Sequence, residues 1–235
     1  MIKLFQFAPA WDVQNLSPFC LKVETYLRMA GIPYEVVHTI PPRAPKRQLP
    51  FIEDNGRRIA DSQFIIEYLR QTYGDTVDGH LSPAERAVSS AMQRLIEDHL
   101  CWVFVFARFA KRDANWAENS RALFGGLPPL LRRLVPPIAR RQMLRELRGH
   151  GMGRHTEAEI YQLGQQDLGS LRDFLGEKTW FIGERPTTLD ASAFGLLANV
   201  LWVPIESPLK GCLMTLPTLT AFCTRVRDRY FARAA

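Results

Sequence analysis

The 235-residue sequence predicts a two-part fold, an α/β unit over residues 1–75 followed by an all-α unit. Three observations carry that prediction. Strand-like and helix-like runs alternate only within the first 75 residues. Turn chemistry at Gly31, Asn55-Gly56 and Gly74 separates them. Beyond Pro83 the apolar patterning is helical.

Lys3–Phe7, KLFQF, has strand character. NLSPFCLKVETYLRMAGIPYE, residues 15–35, reads as a loop, a helix and the start of a strand. Pro18 suits the first helical position, and Gly31 stands just past the end. Cys20, Val23, Leu27 and Ala30 recur at i, i+3, i+7 and i+10 and share one buried face. PYEVVHTI follows as a second strand and LPFIED as a third. Asn55-Gly56 is a hairpin signal leading into RRIA. DSQFIIEYLRQTYG is a helix that stops at Gly74.

Residues 76–84 read as a linker and 85–235 as the helical unit. Ser82, Pro83 and Glu85 supply the cap, the first-turn proline and an approximate capping box for a long helix to about Lys111. Further helices begin near Thr156 and at PTTLDASAFGLLANVLW, where Thr187 and Asp190 form an S/T-x-x-D box. LPTLTAFCTRVRDRYF closes the chain. Between 111 and 155 lies a basic, proline-rich insertion with two Pro-Pro and two Arg-Arg pairs. Its prolines are expected to break any long amphipathic helix.

The longest apolar runs, LCWVFVFA and FGLLANVLWVPI, fall short of the ~20 residues a membrane span needs. MIKLFQFAPAWD lacks the form of a signal peptide, so a cytoplasmic location is expected. Cys20, Cys101, Cys212 and Cys223 have no zinc-like spacing, the five histidines are scattered, and no metal is predicted. The net charge of +6 is local: residues 108–155 hold 11 Lys/Arg against 3 Asp/Glu, and the rest of the chain sums to −2.

Three pieces carry site chemistry. Ser17 is placed to cap the first helix, its oxygen accepting a first-turn N–H while its own proton stays available. As a cap it needs no further role. Leu49-Pro50 opens a strand, where a proline is tolerated and a cis bond turns the Leu49 backbone outward. Asp61-Ser62 opens a helix whose unpaired amides and hydroxyl suit a carboxylate, with Asp61 suited to an ammonium group. A ligand with an α-amino acid head and a peptide-like body fits all three.

In that order, SPFC, LPFIED, DSQFIIEYL and GERPTTLDASAFGLL make the chain resemble a glutathione transferase, with a thioredoxin-like N-terminal domain and a helical C-terminal domain. LSPFCLKVETYLRMAGIPYE is especially similar to the divergent branch of metaxins and failed-axon-connections proteins. The resemblance covers nearly the whole chain outside 111–155. It implies glutathione as cosubstrate, a homodimer and a small hydrophobic electrophile. Omega-class members carry a catalytic cysteine before Pro-Phe; here that position is Ser17, implying a hydroxyl that holds glutathione as a thiolate. Leu49 would pair through its backbone with the cysteinyl part, Pro50 would be the cis proline, and Asp61 and Ser62 would bind the γ-glutamyl end. Lys46 or Arg47 would meet the glycyl carboxylate.

Cys20 is the alternative catalytic residue, since a first-turn thiol can have a lowered pKa, but its stripe also reads as core. A reductase working through Cys20 is therefore one alternative. Another is a transferase fold kept as an interaction or membrane-recruited module. Trp11, Phe106, Phe109, Trp116 and Trp202 line the electrophile pocket or fill core. The basic segment reads first as a solvated face with an apolar underside, second as a peripheral membrane contact. Nucleic-acid binding lacks a recognisable module.

Overall fold

The structure is a computed structural model that describes residues 1–110 and 114–232. Four strands, β1 (Ile2–Gln6), β2 (Tyr34–His38), β3 (Phe51–Asp54) and β4 (Arg57–Ala60), form one sheet in the order β2-β1-β3-β4. β1 runs parallel to β2, with Ile2 opposite Tyr34, and antiparallel to β3. A parallel pair needs a crossover, and α1 (Pro18–Ala30) supplies it. Asn55 and Gly56, at φ 48° and 76°, make the tight β3–β4 turn, where both central residues need positive φ. α2 (Ser62–Tyr73) then returns along the sheet.

The helical part begins with α3 (Pro83–Arg94) under the Ser82–Glu85 capping box. It passes through a π-helical stretch, Leu95–Leu100, into α4 (Cys101–Phe109). The long helix predicted to about Lys111 is thus described to Phe109, and Lys111 lies outside the described residues. α5 (Ala114–Phe124), α6 (Pro129–His150), α7 (Glu157–Leu175), α8 (Thr188–Leu201), α9 (Pro208–Met214) and α10 (Pro217–Tyr230) complete the order. Thr156 with Glu159, and Thr187 with Asp190, form capping boxes.

α6 overturns the expectation that the prolines break the basic segment. It runs for 22 residues through Pro136 and Pro137. Each ring removes a donor, which frees the carbonyls of Arg132 and Arg133 four residues back. Both residues are exposed, so water can take the place of the missing N–H. Nor does the helix lay all its apolar side chains inward: Leu130, Leu131, Leu134 and Ile138 are exposed.

α1 is buried from Cys20 to Leu27, more than the single stripe read from its spacing. Val23, Tyr26 and Leu27 pack with Ile2, Leu4, Ile52 and the α2 residues Ile65, Ile66 and Leu69. Leu21, on another side, belongs to the core of the helical part. The two-sided burial arises because α8 lies against α1. Gly195 of α8 comes so close that a Cβ there would sit 2.5 Å from the Pro18 carbonyl oxygen. Beside this contact the buried Lys22 ammonium pairs with Glu97 at 2.6 Å, and Ser192 donates to the same carboxylate at 2.7 Å.

Residues 76–84 are anchored at both ends. Val77 is buried in the sheet-side core and Leu81 in the helical core. Asp78 accepts from Arg70 and, at 2.8 Å, from the first amide of α8, Thr188 N–H.

Gly195→Ala is expected to destabilise the protein by about 1–3 kcal/mol or more through overpacking against backbone. Gly169→Ala in α7, where a Cβ meets nothing within 4 Å, is expected to stabilise it by about 0.5–1 kcal/mol through helix propensity. Urea unfolding of the two variants checks both signs.

Candidate functional site

Ser17 caps α1: its Oγ accepts from Cys20 N–H at 3.3 Å, and Pro18 occupies the first helical position. Its hydroxyl donates to no oxygen among the described residues and is half-buried. The loop that presents it is held from several sides. Ser17 N–H donates to Asn15 Oδ1 at 3.0 Å, and Asn15 Nδ2 donates to the Phe7 carbonyl at 2.7 Å. Asn199 Nδ2 of α8 donates to the Asn15 carbonyl at 3.0 Å. Arg108 Nη1 of α4 donates to the Leu16 carbonyl at 2.7 Å, and its Nη2 to Asn199 Oδ1 at 3.1 Å.

Arg108 and Asn199 are the site residues that sequence reasoning missed. Arg108 is 3% exposed and lies over the Phe104 ring at 4.2 Å. No carboxylate pairs with it among the described residues, and its Nε has no partner. Burial pulls its pKa down to about 9, so it remains cationic at neutral pH. A buried charge without a counter-charge is costly, and here it lies one residue from Ser17. The available signal was each residue's isolation: Arg108 and Asn199 are lone polar groups in the apolar runs that hold α4 and α8.

Leu49-Pro50 is cis, as the sequence suggested. Among the described residues no hydrogen bond uses the Leu49 N–H or carbonyl, whereas the Pro50 carbonyl accepts from Asp61 N–H at 3.4 Å. Asp61 has φ 82°, a strained conformation for a non-glycine residue. One of its carboxylate oxygens caps α2 by accepting from Gln63 N–H at 3.0 Å. Ser62 is buried, with no side-chain partner among the described residues. The three pieces meet through Cys20, which packs in one cluster with Leu49, Phe51 and Ala60, the residue before Asp61. Lys46 lies 4.4 Å over the Phe64 ring in the first turn of α2. Arg47 is exposed, at φ 54°.

Cys20 itself is fully buried, and burial pushes its thiol up to about 12 against the opposing pull of the Ser17 hydroxyl. It cannot supply a thiolate at neutral pH without leaving the core. The five aromatic candidates do not converge. Trp11 and Trp202 share a cluster with Val13 and Leu16 beside Ser17, and Trp11 Nε1 donates to Glu118 at 2.9 Å. Phe109 and Trp116 pair at 5.8 Å, with Arg140 over Trp116. Phe106 packs edge-on against Tyr161 and lines a separate cleft with α6. Two positions on a helix differ by about 200°, so Phe106 and Arg108 face opposite sides of α4.

Two outcomes follow. Limited alkylation of the native protein near pH 8, mapped by peptide mass spectrometry, is expected to modify the half-buried Cys212 first and to spare Cys20, Cys101 and Cys223. Arg108→Met removes the donor to the Leu16 carbonyl and is expected to speed hydrogen exchange over residues 15–21 by about tenfold or more, since one net hydrogen bond to a charged group is worth ~1.5–3 kcal/mol.

Family models for the glutathione S-transferase N-terminal and C-terminal domains match residues 18–115 and 164–226. The chain is 32% identical over 237 residues to an isoprene-epoxide–glutathione S-transferase of Rhodococcus sp. (strain AD45), covering 98% of this chain and 99% of that protein. It is 37% identical over 244 residues to Failed axon connections of Drosophila melanogaster, covering 98% of this chain and 58% of that protein. Glutathione transferase GSTFuA3 from Phanerochaete chrysosporium shares the fold at a TM-score of 0.69 and 18% identity, covering 99% of this chain and 98% of that one. With a four-stranded sheet crossed by α1, a cis proline opening β3 and a helical second half, the chain belongs to the glutathione S-transferase family.

Proposed function

We propose that the protein binds glutathione and activates its thiol for attack on a small hydrophobic electrophile. Ser17 carries the reading. Its oxygen accepts the α1 cap bond, its proton donates to no oxygen among the described residues and faces only the weak acceptor sulfur of Cys20, and Cys20, three residues on, shares a cluster with Leu49 and Ala60. The surrounding groups fit a peptide-like thiol. The Leu49 backbone suits the cysteinyl amide. Ser62 and the opening amide of α2 suit the γ-glutamyl carboxylate, and the second Asp61 oxygen suits its ammonium. Lys46 and Arg47 are the cations for the glycyl carboxylate.

A free thiol has a pKa of about 8.5 and is mostly un-ionised at neutral pH. Lowering it by about two units takes about 2.7 kcal/mol of differential stabilisation. A hydroxyl donating to the charged sulfur is worth ~1.5–3 kcal/mol. The positive end of α1 and the buried Arg108 cation act in the same direction. Ser17 is the donor to the sulfur, not the nucleophile.

The relative named for isoprene epoxide suggests a strained epoxide as the electrophile. Sulfur bonds to one ring carbon, the bond from that carbon to oxygen breaks, and the oxygen takes a proton from water. Trp11 and Trp202 are the proposed apolar wall, because they lie in the cluster beside Ser17. We propose a cytoplasmic location and, by family resemblance, a homodimer. A second reading, a fold kept as a non-catalytic interaction module, draws on the identity to Failed axon connections.

Calorimetry with glutathione and conjugation of an aryl halide or a small epoxide test the proposal. Ser17→Ala is expected to keep glutathione affinity within about threefold while losing about 10–100-fold in kcat. The acidic limb of its kcat/KM profile is expected to move up by about one to two pH units. Cys20→Ala is expected to keep the rate. Wild-type protein that binds glutathione without turnover would favour the interaction module; absence of both would overturn the reading.

A further inference from the structure

α6 presents an outward stripe that the fold does not use. Leu130, Leu134, Ile138, Arg141, Arg145 and Arg148 follow one another at helical spacing of three or four residues and are all exposed. Leu131 flanks the aliphatic half, and Arg132 and Arg133 add exposed charge. The stripe is about 27 Å long at 1.5 Å per residue. Its N-terminal half is aliphatic and its C-terminal half basic.

Two features set the stripe apart from an ordinary solvated face. Leu130, Leu134 and Ile138 are 69%, 53% and 66% exposed, and with Leu131 they concentrate exposed apolar surface within nine residues. Among the described residues, the side chains of Arg132, Arg133, Arg141, Arg145 and Arg148 have no carboxylate partner. Glu146, the sole acid of α6, bonds to Gln142. At the basic end the helix borders an open cleft of about 360 Å³, with Phe106, Leu144 and Leu147 beneath Arg141, Arg145 and Arg148.

We propose that this face of α6 docks on the surface of an anionic phospholipid membrane. The aliphatic half enters the boundary between headgroups and acyl chains, and the arginines lie on lipid phosphates. Charge complementarity selects this occupant. Five exposed arginines against the one acid of α6, Glu146, give a net positive face that an anionic surface complements, and four adjacent aliphatic side chains are complemented by an apolar one. A second copy of the chain would bring unpaired arginines together or bury them against leucines. Nucleic acid would leave the aliphatic half in water. No helix among the described residues is long and apolar enough to cross a membrane, so the contact is peripheral.

Co-sedimentation of the full chain with vesicles of phosphatidylcholine alone, or with 30% phosphatidylglycerol, tests the proposal at roughly 50 and 300 mM salt. Binding is expected only to the anionic vesicles and is expected to weaken with salt. The triple variant R141Q/R145Q/R148Q is expected to partition about 100-fold less, at about fivefold per cation near an anionic surface. L134D/I138D is expected to lose about tenfold or more. Both variants are expected to keep the wild-type urea midpoint. Equal binding to neutral and anionic vesicles, or no binding, overturns the proposal. So does L134D/I138D that binds as wild type, because adsorption is then electrostatic alone. Sedimentation velocity in which L134D/I138D dissociates a wild-type oligomer while vesicles stay unbound assigns the stripe to a second copy. A DNA duplex bound in preference to vesicles assigns it to nucleic acid.

Discussion

The contact on which the rest of the structure depends is the approach of α8 to the first turn of α1. Gly195 has no side chain, and so the α8 backbone can reach the Pro18 carbonyl. A helix at that distance covers the side of α1 that the sheet does not, which is why Lys22 is buried along with the apolar residues, while Glu24 is covered from the sheet by Gln6 and Tyr34. Burial of Lys22 then requires a counter-charge. Glu97 supplies it from the π-helical stretch between α3 and α4. The two halves of the chain are therefore joined by interlocking cores and paired charges, and Ser17 lies on that seam.

The placement of Ser17 also rests on the second half of the chain. The loop of residues 7–17 that presents it carries a single isolated bridge, between Ala10 and Val13, among the described residues. Arg108 and Asn199 hold it by bonding to the Leu16 and Asn15 carbonyls. Arg108 is costly to bury, because no carboxylate offsets its desolvation among the described residues. Its position beside a helix N-terminus concentrates positive potential where a thiolate would be held. The same groups that order the loop thus bias its electrostatics. Cys20 shows the opposite use of burial: a thiol in the same turn, three residues on, is locked into the uncharged form by its apolar neighbours.

The secondary structure was legible wherever local rules agreed with the tertiary outcome. Pro18 and Gly31 bound α1, Asn55-Gly56 makes the β3–β4 turn, and three capping boxes begin helices where their residues stand. α6 escaped the sequence reading because Pro136 and Pro137 argue locally for a break. The helix persists where the freed carbonyls belong to exposed residues. The aromatic candidates were chosen by residue type, and only the fold separates Trp11 and Trp202, beside Ser17, from Phe106 on the far side of α4.

By itself the sequence determined the strand and helix order of the first 75 residues, the family, the cap at Ser17, the proline opening β3 and the start of α2. These are written in contiguous residues, and short-range sterics and hydrogen bonding settle them. The tertiary structure alone decided which side chains surround the serine. Asn15 and Asn199 are 184 residues apart, and Leu16 and Arg108 are 92 apart. No local rule couples positions so distant; the close packing of α8 on α1 brings them together.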